Sequence, residues 1–252
     1  MSYPILDPSR PDLALASKCA LTVMAKAPRP GKVKTRLSPP LTPEQSAALN
    51  VCFLRDTTQN ISDVTDRGDA VGLISYTPIG DESLFDGLLP SGFALIPQRG
   101  NRFGERLLAA AEDILACGFG AVCLIDSDSP TAPATAFRAA VDALAQPGNR
   151  IVLGGSDDGG YYLVGLKAPH PEPFTNIQWS SSTVYAETVT AIVAAGIELI
   201  ELPLWYDVDD GATLNLLRAE LLEGIQPPFA TLPGYAAPHS RTFLGSFFEN
   251  AK

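Results

Sequence analysis

Two short segments each set a pair of aspartates two residues apart. LIDSDSP, residues 124–130, carries Asp126 and Asp128, and WYDVDD, residues 205–210, carries Asp207 and Asp209. Each pair follows an apolar run of strand length, and in extended backbone residues two apart share a face. Carboxylates held together repel unless a cation neutralises them. A hard divalent ion, Mg²⁺ or Mn²⁺, accepts oxygen ligands of this kind and keeps positions for water and substrate phosphate. The structural alternative is that one aspartate caps a turn or the following helix, a role that suits Asp209 or Asp210. If the two segments converge, Asp126, Asp128, Asp207 and Asp209 are the candidate metal ligands.

MAKAPRPGKVKTRL, residues 24–37, is opposite in character. Lys26, Arg29, Lys32, Lys34 and Arg36 put five positive charges into eleven residues, with no acid between them. The net charge of the whole chain is −10, so the remainder carries −15. The segment is neither a G-x-x-x-x-G-K-[ST] loop nor a G-x-G-x-x-G fingerprint. Gly31 permits a tight turn, and Lys26, Arg29, Lys34 and Arg36 are candidate phosphate ligands, the Arg fork binding bidentately. A solvated charged loop is the plain alternative. Its position directly after the first strand favours a small anionic ligand.

Two further segments carry turn and helix-start signals. In SDDGGYYLVGL, 156–166, Asp158-Gly159-Gly160 signals a tight hairpin turn, and glycine also allows a ligand close to the backbone. Asp158, held by that turn, is the candidate general base. In NIQWSSSTVYAET, 176–188, Trp179 precedes a serine run and Thr183, as at a capped helix start.

The elements that must position these residues alternate. Apolar strands are expected at 19–25, 70–76, 93–97, 121–126, 150–155, 161–166 and 197–203. Helices are expected from Thr42 to about Ser62, over 104–117, 133–146 and 183–195, and finally over 213–223. Thr42, Pro43 and Gln45 supply the cap, the first-position proline and the capping-box partner. Continuous apolar strands alternating with helices give an α/β fold with a mainly parallel, mixed sheet covered by helices on both faces. The 150–166 hairpin adds an antiparallel strand. Residues 1–18 read as a loose lead-in, 19–225 as the domain, and 226–252 as an extension. That extension, with Phe243, Phe247 and Phe248, wraps the body or forms a homodimer contact.

Composition excludes other classes. A predominantly acidic surface repels nucleic acid and anionic membranes, so neither is an expected partner. No apolar run reaches the length of a membrane span, and no signal peptide is expected. Cys19, Cys52, Cys117 and Cys123 are scattered and read as buried thiols, which suits a cytoplasmic protein.

MAKAPRPGKVKTRL, the SDSP of 127–130, DDGGYYLVGL, Trp179-Ser180 with Thr183, and the DVD of 207–209 together resemble a family of small bacterial GT-A-like candidate glycosyltransferases. Some of these are associated with arsenosugar biosynthesis. The family is similar to 2-phospholactate guanylyltransferase and, more distantly, to sugar-nucleotide and molybdopterin nucleotidyltransferases. The resemblance runs in order from about residue 20 to 217. It implies a nucleotide-diphospho-sugar transferase fold, with the 26–36 loop on the nucleotide and Asp128 and Asp209 on a divalent metal. In PQRGNRFGERL, 97–107, it implies Gln98, Gly104 and Arg106 as further nucleotide-binding residues. Gly159, Gly160, Tyr161, Trp179, Ser180 and Thr183 would face an acceptor. The chain departs from the family at Asp126, where glycine is commoner, and at Asp210-Gly211-Ala212-Thr213, where a weaker helix cap is expected. The function expected is a metal-dependent glycosyltransferase acting on a nucleotide sugar and a small-molecule acceptor, with Asp128 and Asp158 as catalytic residues. A nucleotidyltransferase or a non-catalytic nucleotide-binding protein are the alternatives.

Overall fold

In the computed structural model, which describes residues 3–249, the chain forms a seven-stranded sheet with helices on both faces. In chain order the elements are β1 Cys19–Lys26, α1 Pro43–Thr65, β2 Ala70–Thr77, β3 Ala94–Pro97, α2 Phe103–Ala116, β4 Ala121–Ile125 and α3 Ala134–Ala145. They continue with β5 Arg150–Ser156, β6 Tyr161–Leu166, α4 Val184–Ala194, β7 Glu198–Trp205, α5 Gly211–Arg218 and α6 Pro238–Glu249. The strand order is β3-β2-β1-β4-β6-β5-β7. Only β6 runs antiparallel to its neighbours, β4 and β5. The remaining pairs, β1 with β2 and β4, β2 with β3, and β5 with β7, are parallel.

That topology does the first piece of functional work. The segments after β1, β4, β5 and β7 all leave the sheet at one edge. Those segments are the basic loop, the 126–130 acids, the Asp-Gly-Gly turn and the 207–209 acids. Open α/β sheets bind ligands at the carboxyl ends of their strands.

The two faces follow from strand alternation. Leu21, Val23 and Ala25 of β1 point to one core, shared with Leu49, Phe53 and Ile61 of α1 and Phe137 and Val141 of α3. Ala20 points to the other, with Leu107, Ala111 and Ile114 of α2 and Ile192 of α4. α1 opens as expected: the Gln45 amide donates to Thr42 Oγ1 at 3.2 Å and Thr42 N donates to Gln45 Oε1 at 2.8 Å. It runs three residues past Ser62, because Ile61 and Val64 still find the core.

Three expectations change. Residues 4–6 are not loose: Leu95 N donates to Pro4 O and Leu6 N to Leu95 O, both at 2.8 Å, so the lead-in extends the sheet beyond β3. β7 continues to Trp205, whose indole is fully buried and donates to Thr131 Oγ1 at 3.2 Å. The final helix, expected at 213–223, begins at Gly211 and widens into a π turn over Ala219–Glu223. The 226–249 segment wraps the body, as one of its two readings held, and ends in α6. Asp56 of α1, fully buried, accepts hydrogen bonds from His239 N (2.9 Å), Ser240 N (2.8 Å) and Ser240 Oγ (2.6 Å). A carboxylate from one helix thus caps the start of another, satisfying amides that would otherwise lack partners.

No helix among the described residues is long and apolar enough to cross a membrane. All four cysteines are free; Cys52 is half-buried and the others are buried.

Replacing Asp56 with Ala leaves the buried Ser240 amide and hydroxyl and the partly buried His239 amide without this partner and should cost about 3 kcal/mol in urea unfolding. Limited proteolysis should then release the C-terminal segment first. An unchanged cleavage pattern would show that the aromatic packing of α6 alone holds it.

Candidate active site

The basic loop turns inward at one residue. Lys34 has left-handed backbone geometry (φ 48°, ψ 38°), uncommon for a residue with a side chain. This sends its side chain into the protein, where only 4% of it is exposed. Its ammonium lies 2.7 Å from Asp128 Oδ1 and 3.2 Å from Asp209 Oδ1, and donates to Val208 O at 2.7 Å. Burial lowers the Lys34 pKa, but the two carboxylates outweigh it and the net shift is upward. Arg36, largely exposed, pairs with the other oxygen of Asp209. A backbone bond from Val208 N to Asp128 O, 2.9 Å, stitches the two acidic segments together directly.

The two acids of each pair have different tasks. Asp126 turns back on its own loop: Oδ1 accepts from Asp128 N and Ser129 N, and Oδ2 accepts from Ser129 Oγ at 2.7 Å. Burial, reinforced by Asp128 and Asp207, drives its pKa well above the carboxylate range. Its oxygens are occupied by the turn, so it fits a metal-ligand role poorly. Asp207 accepts from Ser156 Oγ at 3.0 Å, and burial followed by the charges of Asp158 and Asp209 raises it to about 6. Asp128 and Asp209 keep roughly 30% of their side chains open. No cluster of three or more His, Cys, Asp or Glu side chains is arranged around a metal position among the described residues. Asp128 engages Lys34 through Oδ1 alone, whereas both oxygens of Asp209 are paired, with Lys34 and Arg36; as hard oxygens the two carboxylates suit a divalent ion that takes its other ligands from water and phosphate, in exchange for those ion pairs. The cap expected to be weak is intact: Asp210 accepts from Ala212 N (2.9 Å) and Thr213 N (3.0 Å).

Two cavities meet at this cluster. The smaller, about 250 Å³, is lined by Lys26, Lys32, Lys34, Arg36, Asn50 and Ser127, with Asp128 and Asp209 on its boundary. The larger, about 670 Å³, is lined by the acids Asp126, Asp158 and Asp207 and by Met24, Phe103, Leu107, Tyr161 and Trp179. Arg36, Asp128 and Asp209 line both.

The Asp-Gly-Gly turn reaches the larger cavity through a close fit. Gly159 (φ +91°) lies so near the Ser182 carbonyl that any side chain would collide with it. Its carbonyl accepts from Tyr185 N at 2.8 Å, tying the turn to the start of α4. Asp158 Oδ1 accepts from Gly160 N at 2.7 Å, which fixes the carboxylate at the cavity edge. Gly160, Tyr161, Trp179 and Ser180 also line this cavity. Thr183 does not; its hydroxyl donates to Glu187 Oε1 at 2.6 Å, within the α4 start.

Five expected nucleotide residues stand outside both cavity linings. Arg29 is spent on Asp81, its Nε donating at 2.6 Å. Gln98 is latched to β2, its side chain donating to Ser75 O at 2.8 Å. Gly104 admits the Trp179 indole and the Phe174 carbonyl where a side chain would clash. Arg106 lies 5.8 Å from the Phe103 ring centre and outside both cavity linings. Gly31 (φ +70°) makes the loop turn without lining either cavity. Sequence reading passed over Phe103 and Met24, which carry no charge, and Asn50, which lies inside a helix. Phe103 offered one signal, a large apolar side chain in the first turn of an amphipathic helix outside its buried stripe.

With this geometry in view, comparisons become informative. Residues 60–181 match the DUF2064 family, described as an uncharacterized protein conserved in bacteria. No curated protein matches the chain. A crystal structure from Desulfovibrio desulfuricans G20, of a candidate nucleotide-diphospho-sugar transferase, is similar at TM-score 0.74 and 28% identity. It covers 92% of this chain and 98% of that one. CMP:2-keto-3-deoxy-manno-octonic acid synthetase in complex with CTP is similar at TM-score 0.53 and 13% identity, over 83% of this chain and 100% of that one. 4-Diphosphocytidyl-2C-methyl-D-erythritol synthase from Anaerococcus prevotii DSM 20548 gives 0.50 and 11%, over 83% and 99%. At such low identity the latter two show the fold alone. The chain has the GT-A-like α/β fold of the nucleotide-diphospho-sugar transferases.

The raised pKa of Asp207 sets a sign. A carboxyl that holds its proton more tightly when folded than when unfolded loses stability as pH rises between about 4 and 6. In EDTA, Asp207→Asn should therefore raise the melting temperature clearly at about pH 8 and little at about pH 5. Equal shifts at both would mean that Asp207 carries no ionisation strain.

Proposed function

We propose that this protein is a nucleotide-dependent transferase that moves a sugar from a nucleoside-diphosphate sugar to a small acceptor. The observation that carries the reading is the pair of cavities, one cationic and one acidic, divided by Arg36, Asp128 and Asp209. A diphosphate placed in the cationic cavity meets Lys26, Lys32, Lys34 and Arg36, and its sugar then projects towards the acidic one. Cationic side chains fixed before the reaction stabilise charge that develops on the leaving diphosphate, without reorganisation. The likeness to a nucleotide-diphospho-sugar transferase fold at 28% identity supports the same assignment.

The chain's residues divide the work. Asp158, with Oδ1 held by the Gly160 amide and Oδ2 free of it, accepts the proton of the attacking hydroxyl. The hydroxyl oxygen bonds to the sugar carbon as the carbon–oxygen bond to the β-phosphate breaks, and that electron pair stays on the phosphate oxygen. Lys34 and Arg36 neutralise it. Asp128 and Asp209 would hold Mg²⁺ or Mn²⁺, which when bound supplies further positive charge for the phosphates. Trp179 and the Asp-Gly-Gly turn shape the acceptor side.

Nucleotidyl transfer is the second reading. It is favoured by the number of cations around the smaller cavity, enough for a triphosphate. Incubating the protein with nucleoside triphosphates and nucleotide sugars separates the two. Release of nucleoside diphosphate supports the first reading and release of pyrophosphate the second.

Thermal shift provides the broader test. A nucleotide should stabilise the protein, and more so with Mn²⁺ present; absence of any nucleotide effect would leave the fold without this function. Arg36→Ala should weaken nucleotide binding by about 1.5–3 kcal/mol, the loss of a hydrogen bond to a charged group. Wild-type affinity in that variant would remove Arg36 from the phosphate site.

A further inference from the structure

Charge is segregated between the two cavities, and this bears on what the acceptor is. In the larger cavity Arg36 is the sole cationic side chain among the described lining residues, and it is already paired with Asp209. Asp128 is likewise compensated by Lys34. Asp158 and Asp207, which also line this cavity, have no ion-pair partner among the described residues. A phosphate group brought beside them would meet uncompensated negative charge in a partly enclosed site, where screening by solvent is reduced.

The same cavity is lined by an aromatic cluster. Phe103, 45% exposed, stands edge-to-face with Trp179 at 5.0 Å between ring centres, and Tyr161 approaches Trp179 at 6.2 Å. Met24 and Leu107 extend this apolar side of the lining. Tyr161 also has a buried hydroxyl with no hydrogen-bond partner among the described residues. An open aromatic pair of this geometry receives a flat or apolar group, and its ring faces also attract cations.

We infer that the acceptor is an uncharged or cationic molecule with a free hydroxyl and a flat apolar part, and that phosphorylated acceptors are rejected. The inference rests on the transferase reading above, and it names the acceptor class of that same site.

The chain has two tryptophans, and Trp205 is fully buried in the core, so a change in emission on ligand addition reports chiefly on Trp179. Tyramine, phenyl β-D-glucopyranoside and phenyl phosphate, matched in ring and differing in charge, serve as probes. They are titrated into the full chain with pyrophosphate present to fill the cationic cavity, and Trp179→Phe confirms the reporter. Tyramine and the glucoside should bind, with phenyl phosphate weaker by at least about tenfold. The Asp158→Asn/Asp207→Asn double variant should narrow that gap. Equal or tighter binding of phenyl phosphate, or no response to any probe, overturns the inference. Nucleotide binding, measured by thermal shift on the same protein, separates the two failures. Bound nucleotide with phenyl phosphate preferred sinks this inference alone. No bound nucleotide, with the probe order intact, sinks the transferase reading and leaves a site for flat, non-anionic ligands.

Discussion

The active end of this molecule depends on one buried charge. An ammonium removed from water costs several kcal/mol unless other groups surround it, and Lys34 has Asp128, Asp209 and the Val208 carbonyl within 3.2 Å. Those partners come from the ends of β4 and β7, which are separated in the sheet by β6 and β5. The Val208 N to Asp128 O bond joins the two acidic segments, and the cation between them offsets the repulsion of their carboxylates. Conversely, the left-handed backbone at Lys34 is tolerated because the charge contact compensates for it. The loop, the strand ends and the divide between the cavities therefore form as a unit. Removing either carboxylate alone leaves the lysine under-compensated, which is a larger perturbation than losing a surface ion pair.

The parts of the architecture set by local pattern were legible in the sequence. Continuous apolar runs marked the strands, because each buried strand is apolar on both faces, and the Thr42-Pro43-Gln45 cap marked the start of α1. What escaped was set by long-range contacts. The sheet extension by residues 4–6 consists of backbone bonds to Leu95, invisible in composition. The place of α6 depends on Asp56, about 180 residues earlier in the chain. At the site, the approach of the basic loop to both acidic segments was readable because charge types and strand ends are. The error lay in equating polarity with binding. Arg29 and Gln98 are polar yet spent on internal partners, whereas Phe103 and Met24 are apolar and line the cavity. Spacing reveals that two aspartates can share a face. It does not reveal that the Asp126 oxygens are already taken by Ser129 and the backbone.

Glycine accounts for how the aromatic wall is held. Gly104 at the start of α2 leaves room for the Trp179 indole, and Gly159 leaves room for the Ser182 carbonyl. The wall and the hairpin turn thus lock against each other through missing side chains. Neither position needs to touch a ligand to matter for binding, since a β-carbon at either one would push Trp179 or the 180–182 segment away from the cavity. A glycine shared with a family motif is equally well explained by packing as by contact with substrate, and here packing is the observed cause.

The same three residues close one cavity and open the other, which constrains how the site can vary. Arg36 and Asp209 are bonded to each other, and Asp209 and Asp128 share Lys34, so the electrostatics of the two halves are coupled. Extra positive charge on the divide would improve a phosphate site and erase the contrast with the acidic side. Extra negative charge would do the reverse. A near-balance of two cations and two carboxylates at the boundary lets the potential change sign over a few ångströms. On the function proposed, an anionic leaving group and a non-anionic acceptor would then lie side by side, each in a field that suits it.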